Sequence, residues 1–238
     1  MHGRRVHARV GGPAGAPAVV LLHGLGMSGR YMVPLARVLA PDFRVHAVDL
    51  PGFGRSEPPD AVLDVPGPAD ALLAWVEAAG LDAPSVVANS MGCQVAVAAM
   101  ARAPHALGRA VLVGPTFDRH ARSVPSQVVR LLRAGVHERP DLIPVVVRDY
   151  ARCGPRRLVR TARYALAHRI EDDLPAVARP VLVVRGGRDR VVSRRWAQEV
   201  AAAAPEGRLA EVPRHGHALN HSAPGPLAAV IRPVLGLR

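Results

Sequence analysis

The chain contains no lysine: all 31 of its basic residues are arginine, against 19 acids, for a formal charge of +12. A groove selected for nucleic acid has no physical reason to exclude lysine, which neutralises phosphate well. Aromatic residues, at 3%, leave few platforms on which bases could stack. Nucleic acid is therefore not an expected partner, and the arginine excess reads as composition bias accompanying abundant Ala, Gly, Pro and Val. Cys93 and Cys153 are the entire cysteine inventory, too few for a disulfide-dense secreted scaffold or a four-thiolate zinc site. The most continuous apolar stretch, Val95 to Ala101, is far too short to span a bilayer. Met1 to Val10 carries Arg4, Arg5 and Arg9 with no apolar run behind it, so no signal peptide is visible. The expectation is a soluble, reduced, cytoplasmic protein without a membrane partner.

What the chain does have is hydrophobic content of 49%, enough to build a core and too much for a disordered segment. Short β-branched runs alternate with helical patterns. Val19–Leu22, Arg44–Val48, Ser85–Ala88, Ala110–Val113 and Val181–Val184 read as strands buried on both faces, as in a parallel sheet. Val6–Val10 is expected as an antiparallel edge strand and Arg208–Val212 as the last strand. Helices are expected over Tyr31–Ala40, Ala69–Ala79, Met91–Ala103, Trp196–Ala204 and Pro226–Leu235. The alternation implies an α/β domain.

Between Thr116 and Arg179 no run is strand-like, while Ser126–Ala134, Leu142–Arg152 and Pro155–Ile170 read as helices. The expected organisation is thus a core of residues 1–115 and 180–238, with a helical lid inserted at 116–179.

The strongest chemical signal is Ala88-Asn89-Ser90-Met91-Gly92, directly after a buried strand and opening a helix. A serine hydroxyl is a poor nucleophile unless it is exposed, held and next to a base. A sharp strand-to-helix turn lifts it clear of the sheet and tolerates only small residues two positions to either side. The plainer reading is a serine N-cap. Two further loops favour the chemical reading: Asp189 follows a buried strand in Arg185-Gly186-Gly187-Arg188-Asp189, and His217 follows the last strand in Arg214-His215-Gly216-His217. Nucleophile, acid and histidine fall in that chain order, each just beyond a strand's carboxyl end, where open α/β sheets assemble their sites.

On these residues the sequence is similar to the α/β-hydrolase superfamily. The likeness includes His23-Gly24-Leu25-Gly26, matching the family's His-Gly oxyanion loop, and Asp49-Leu50-Pro51-Gly52-Phe53-Gly54-Arg55-Ser56, matching its Asp-x-Pro-Gly-x-Gly-x-Ser segment. Gly216-His217-Ala218-Leu219-Asn220-His221 resembles its histidine loop. The first glycine usual in the elbow is Ala88 here.

The resemblance implies a mostly parallel sheet flanked by helices, with a serine hydrolase's division of labour. Ser90 attacks, His217 carries the proton, and Asp189 orients the imidazole. The backbone N–H groups of Leu25 and Met91 hold the oxyanion, and His23, Gly24 and Gly26 line the substrate position, His23 chiefly by fixing the loop through hydrogen bonds. Asp118 competes with Asp189 as the acid, its alternative being an N-cap or surface charge. His215 competes with His217 as the base.

No cofactor is expected. A metal at His215, His217 and His221 is not, for want of a carboxylate cluster, and Gly24, Gly26 and Gly29 make only half of a phosphate fingerprint. Packing accounts for Cys93.

The expected activity is hydrolysis of a carboxylic ester or thioester of a small, largely hydrophobic molecule through an acyl-enzyme. The alternatives are carbon–carbon bond hydrolysis, a biosynthetic lyase or cyclase, and a ligand receptor with little turnover. Residues 116–179 hold 13 arginines and 7 acids, and Arg156, Arg160 and Arg163 share a helix face. That face either attracts an anionic substrate or an acidic carrier protein, or is an ordinary solvated surface. Leu158, Val159, Ala162 and Leu166 are expected to face the pocket.

Overall fold

Continuous apolar runs become the inner strands of one sheet because both of its faces are covered. The computed structural model describes residues 4–135 and 138–236; residues 1–3, read above for a leader, lie outside that range. The strands are β1 (Ala8–Gly11), β2 (Ala18–Leu22), β3 (Arg44–Val48), β4 (Ser85–Asn89), β5 (Ala110–Val113), β6 (Val181–Gly186) and β7 (Gly207–Val212). They lie in the order β1-β3-β2-β4-β5-β6-β7, and every pairing is parallel except that of β1 with β3. The N-terminal edge strand is antiparallel as expected, beginning two residues later and ending one later than the sequence pattern suggested.

The helices are α1 (Val33–Leu39), α2 (Pro66–Ala78), α3 (Met91–Arg102), α4 (Val124–Gly135), α5 (Ile143–Cys153), α6 (Pro155–Ala167), α7 (Ile170–Asp173), α8 (Arg194–Ala203), α9 (Leu219–Ser222) and α10 (Pro224–Leu235). Proline opens α2, α6 and α10, where its missing N–H would have had no helical partner.

Alternate strand residues point to opposite faces, and the core divides accordingly. Val20, Leu22, Val86, Ala88, Leu112 and Val183 pack with α2, α3 and α8 on one side. Val19, Leu21, Val87, Val111, Val113 and Val184 pack with α1 and α10 on the other. All twelve have no exposed surface. Each buried Val or Leu contributes at most about 1.5–3 kcal/mol, so the sheet is a rigid platform for whatever its strand ends carry.

The segment between β5 and β6 is helical, as expected, with one difference. The helix foreseen over Pro155–Ile170 ends at Ala167, and the chain turns extended at His168 and Arg169 before α7. The cause is Gln94 on α3, whose Nε2 donates to the carbonyls of Ala165 (2.9 Å) and His168 (3.2 Å). It thereby takes acceptors that a helix end leaves open.

The inward face of α6 is also narrower than expected. Thr161 and Ala165 are buried and Leu158 is half-buried, but Val159 is 50% exposed. It lies one position off the 158/161/165 stripe. Arg156, Arg160 and Arg163 are all exposed.

Candidate active site

The switch in strand order falls at β2 and β4, from which the chain runs outward in opposite directions. Loops at such a switch diverge and leave a crevice at the carboxyl ends of the strands. Ser90 sits at the end of β4 with φ 58° and ψ −124°, a strained conformation for a residue with a Cβ. The turn is pinned from both sides: Ser90 N–H donates to Val113 C=O (2.9 Å), and Cys93 N–H donates to Ser90 C=O (3.0 Å). Gly92 is required by close approach, since a Cβ there would lie 2.7 Å from the His23 carbonyl oxygen. The small residue demanded on that side of the elbow therefore has a specific cause.

His217 Nδ1 hydrogen-bonds Asp189 Oδ2 at 2.8 Å, and both residues are buried. The second carboxylate oxygen, Oδ1, accepts from the amides of Val191 (2.7 Å) and Val192 (3.0 Å). Burial alone would raise the Asp189 pKa, but the His217 charge and hydrogen bond, with those two amides, hold it below the ordinary carboxylate range. For His217 burial acts in the opposite sense, disfavouring the imidazolium. The carboxylate and hydrogen bond of Asp189, helped by Glu138, overcome it and raise the imidazole above its usual value. The Asp189 carboxylate thus stabilises the protonated form of this imidazole.

The structure thus joins His217 to Asp189 and not to Asp118. The Asp118 carboxylate is buried elsewhere, accepting from His120 N–H (2.9 Å) and Arg130 Nη1 (2.8 Å). It caps the short 3-10 turn Arg119–Ala121, as its plainer reading held. His215 is half-buried, and its carbonyl accepts from Arg188 N–H at 2.8 Å.

Among the described residues the Ser90 hydroxyl is hydrogen-bonded to Thr116 Oγ1, at 3.4 Å, rather than to His217. The histidine loop is nonetheless tied to the elbow. Asn89 Nδ2 donates to Val113 C=O (3.2 Å) and to His217 C=O (3.4 Å). Gly114 lies directly against the acid–histidine pair: a Cβ on it would sit 2.8 Å from His217 Nδ1 and 3.2 Å from Asp189 Oδ2.

Gly24 lies beside the hydroxyl, with Ser90 Cβ 3.0 Å and Ser90 Oγ 3.5 Å from where its own Cβ would be. Neither the Leu25 nor the Met91 amide donates to a protein acceptor among the described residues. His23 does not line the substrate position. Its ring has no exposed surface, its Nδ1 bonds the Gly24 carbonyl (2.9 Å), and its Nε2 accepts from Leu50 N–H (3.0 Å). With both nitrogens engaged by backbone, it shapes the loop, and burial lowers its pKa so that it stays neutral. Gly26 faces Tyr150 and Leu158 from α5 and α6, each 2.8 Å from the position of a Cβ on it.

Four contributors were not foreseen in the sequence: Asn89, Gly114, Thr116 and Arg185. Arg185 clamps the acid loop by donating to the carbonyls of Val192 (2.9 Å), Gly187 (3.3 Å) and Asp189 (2.9 Å). Its signal was legible, as a lone charge at the end of the apolar run Val181–Val184. Asp49 is fully enclosed, its carboxylate taken by the amides of Gly29 and Arg55 and by His7 and Arg9, and it orders the glycine-rich loop of residues 49–56.

The family model described as Alpha/beta hydrolase family matches residues 19–230. A pimeloyl-(acyl-carrier protein) methyl ester esterase of Xanthomonas campestris pv. campestris (strain B100) is 32% identical over 225 residues, covering 85% of this chain and 88% of its own. One of the same name from Stenotrophomonas maltophilia (strain R551-3) is 29% identical over 229 residues, with 85% and 86% covered. Among solved structures, a thermophilic esterase from Thermogutta terrifontis superposes with a TM-score of 0.83 at 21% identity, covering 98% of this chain and 93% of that one.

Proposed function

From the premise that this chain belongs to the α/β hydrolase family and is a hydrolase, we propose that it cleaves a carboxylic ester or thioester through Ser90, His217 and Asp189. The observation that carries this reading is the buried 2.8 Å bond between His217 Nδ1 and Asp189 Oδ2, on a loop tied to the strained turn that bears Ser90. Asp189 fixes the tautomer that leaves His217 Nε2 free to accept a proton. The long contact of Ser90 with Thr116 is weak and exchanges for His217 once substrate is bound, since catalytic hydrogen bonds often tighten only in the complex.

In the first half-reaction Ser90 Oγ bonds to the acyl carbon and its proton passes to His217. The tetrahedral oxyanion is met by the Leu25 and Met91 amides, and the alcohol or thiol leaves with the proton from His217. Water then repeats the sequence on the acyl-enzyme and releases the acid. Removing one oxyanion donor of this kind typically costs about 2.7–4 kcal/mol.

Residues 116–179 act as a cap over a core of residues 1–115 and 180–238. Tyr150 and Leu158 press on Gly26 of the oxyanion loop, and Arg157 presses on Gly52. A narrow crevice beside Met91, lined by Pro51, Phe53, Val65, Val95 and Thr161, is largely apolar and would have to widen to admit an acyl chain. The relatives' names and the exposed arginines of α6 support an acyl group borne on an acidic carrier protein, or another anionic ester. Two free thiols, one buried, suit the cytoplasm.

A chain-length panel of methyl esters and acyl thioesters, free and carrier-linked, tests the proposal. Turnover of at least one series, abolished by Ser90→Ala, is expected. Turnover that survives in that variant overturns it.

A further inference from the structure

On the far side of the acid loop lies an open cleft of about 750 Å³ lined by Arg130, Arg133, Arg185, Arg190, Ser193 and Arg194, together with Asp189. Val192 is its one apolar lining residue and no aromatic side chain contributes, unlike an ordinary small-molecule pocket. Two of the five guanidinium groups are held rigidly in place. Arg185 is tied to the loop carbonyls, and Arg130 Nη1 donates to Val191 C=O at 2.9 Å as well as to Asp118. Arg133 and Arg190 are exposed and, among the described residues, make no hydrogen bond or ion pair.

The negative charge nearby is small. Asp118 answers Arg130, and Glu211 is shared at 3.6 and 3.7 Å between Arg185 and Arg194. The Asp189 carboxylate is consumed by His217 and two amides. Five guanidinium groups therefore face two neighbouring carboxylates, those of Asp118 and Glu211, which leave Arg133 and Arg190 without a partner among the described residues.

We propose that this cleft binds an anion carrying two or more phosphate groups, held by Arg133, Arg190 and Arg194 over the fixed guanidinium of Arg130. Guanidinium groups match phosphate oxygens in bidentate pairs, and several of them lining one cleft favour a polyphosphate over a single charge. With no aromatic wall there is nothing to read a base, so inorganic tripolyphosphate and a nucleoside triphosphate should bind alike. The proposal does not rest on the ester chemistry, although the cleft shares Asp189 with the proposed triad and the carbonyls that Arg130 and Arg185 hold belong to the loop bearing it.

The test is calorimetric titration of the whole protein with tripolyphosphate and with ATP at fixed ionic strength. It is run on the wild type, on the double variant Arg133→Ala/Arg190→Ala, and on the charge-matched control Arg37→Ala/Arg208→Ala. The control residues are exposed on α1 and β7. Saturable 1:1 binding of both ligands is expected, weakened at least tenfold in the double variant and unchanged in the control, with all three proteins melting alike. Absence of saturable binding, equal weakening in the control, or an unaffected double variant overturns the proposal. So does a base preference that makes ATP bind and tripolyphosphate not, or binding of a DNA duplex alone.

Discussion

Adding one methyl group at Gly114 should impair the enzyme while leaving every proposed catalytic side chain chemically unchanged. Gly114 has φ +56°, and a Cβ on it would lie 2.8 Å from His217 Nδ1, 2.9 Å from His217 Cε1 and 3.2 Å from Asp189 Oδ2. Ordinary contact begins near 3.4 Å, so the imidazole must move by several tenths of an ångström or the backbone must leave the left-handed region. The left-handed conformation costs a non-glycine residue about 1–2 kcal/mol. In a domain of this size that corresponds to a melting temperature lowered by roughly 2–8 °C. A misplacement approaching 1 Å at reacting groups costs about 100-fold in rate. The expected outcome for Gly114→Ala is thus a kcat reduced by about 10- to 100-fold, a nearly unchanged KM and a modestly lower Tm. Ester hydrolysis and a thermal melt, run beside Gly15→Ala, are the assays; Gly15 has nothing within 4 Å of its Cβ position and should lose no activity. A Gly114→Ala enzyme with wild-type kcat would refute the reasoning, because the imidazole would then not be where the chemistry needs it.

Asp189→Asn should lower kcat by about 10⁴, through loss of the correct imidazole tautomer. Asp118→Asn should instead act on stability, by roughly 0.5–1.5 kcal/mol for the weakened hydrogen bond to Arg130, with little change in kcat; comparing kcat and Tm in the two variants distinguishes them. The pH profile of kcat/KM should rise with pH, because His217 accepts a proton only when neutral. Its midpoint should lie above 6.5, since Asp189 raises that imidazole against the opposing effect of burial, and should fall in Asp189→Asn, where burial acts without the opposing carboxylate. For an acidic carrier-linked ester kcat/KM should drop steeply with added salt, and for a neutral ester it should not; equal slopes would remove the cap arginines from substrate capture.

The parallel sheet was legible because the inner strands, apart from β3 with its Arg44 and His46, are largely continuous apolar runs, as strands covered on both faces tend to be. The elbow, acid loop and histidine loop were legible as small residues and charges placed just past those runs. The pairing of His217 with Asp189 rather than Asp118 needed three dimensions, since both acids follow sheet strands. Where α6 ends could not be read locally: the group that stops it, Gln94, lies 71 residues from Ala165 in sequence. His23 shows the same limit. Its motif placed it beside the site, and only the contacts with Gly24 and Leu50 show both ring nitrogens turned away from substrate.

The most direct measurement of the central claim is the rate at which a fluorophosphonate modifies the protein, with the adduct located by peptide mass spectrometry. Covalent phosphonylation of Ser90 is the result expected for the wild type, absent in Ser90→Ala and slowed by orders of magnitude in His217→Ala. A wild-type protein that stays unmodified, or a His217→Ala variant labelled as fast as the wild type, would contradict it.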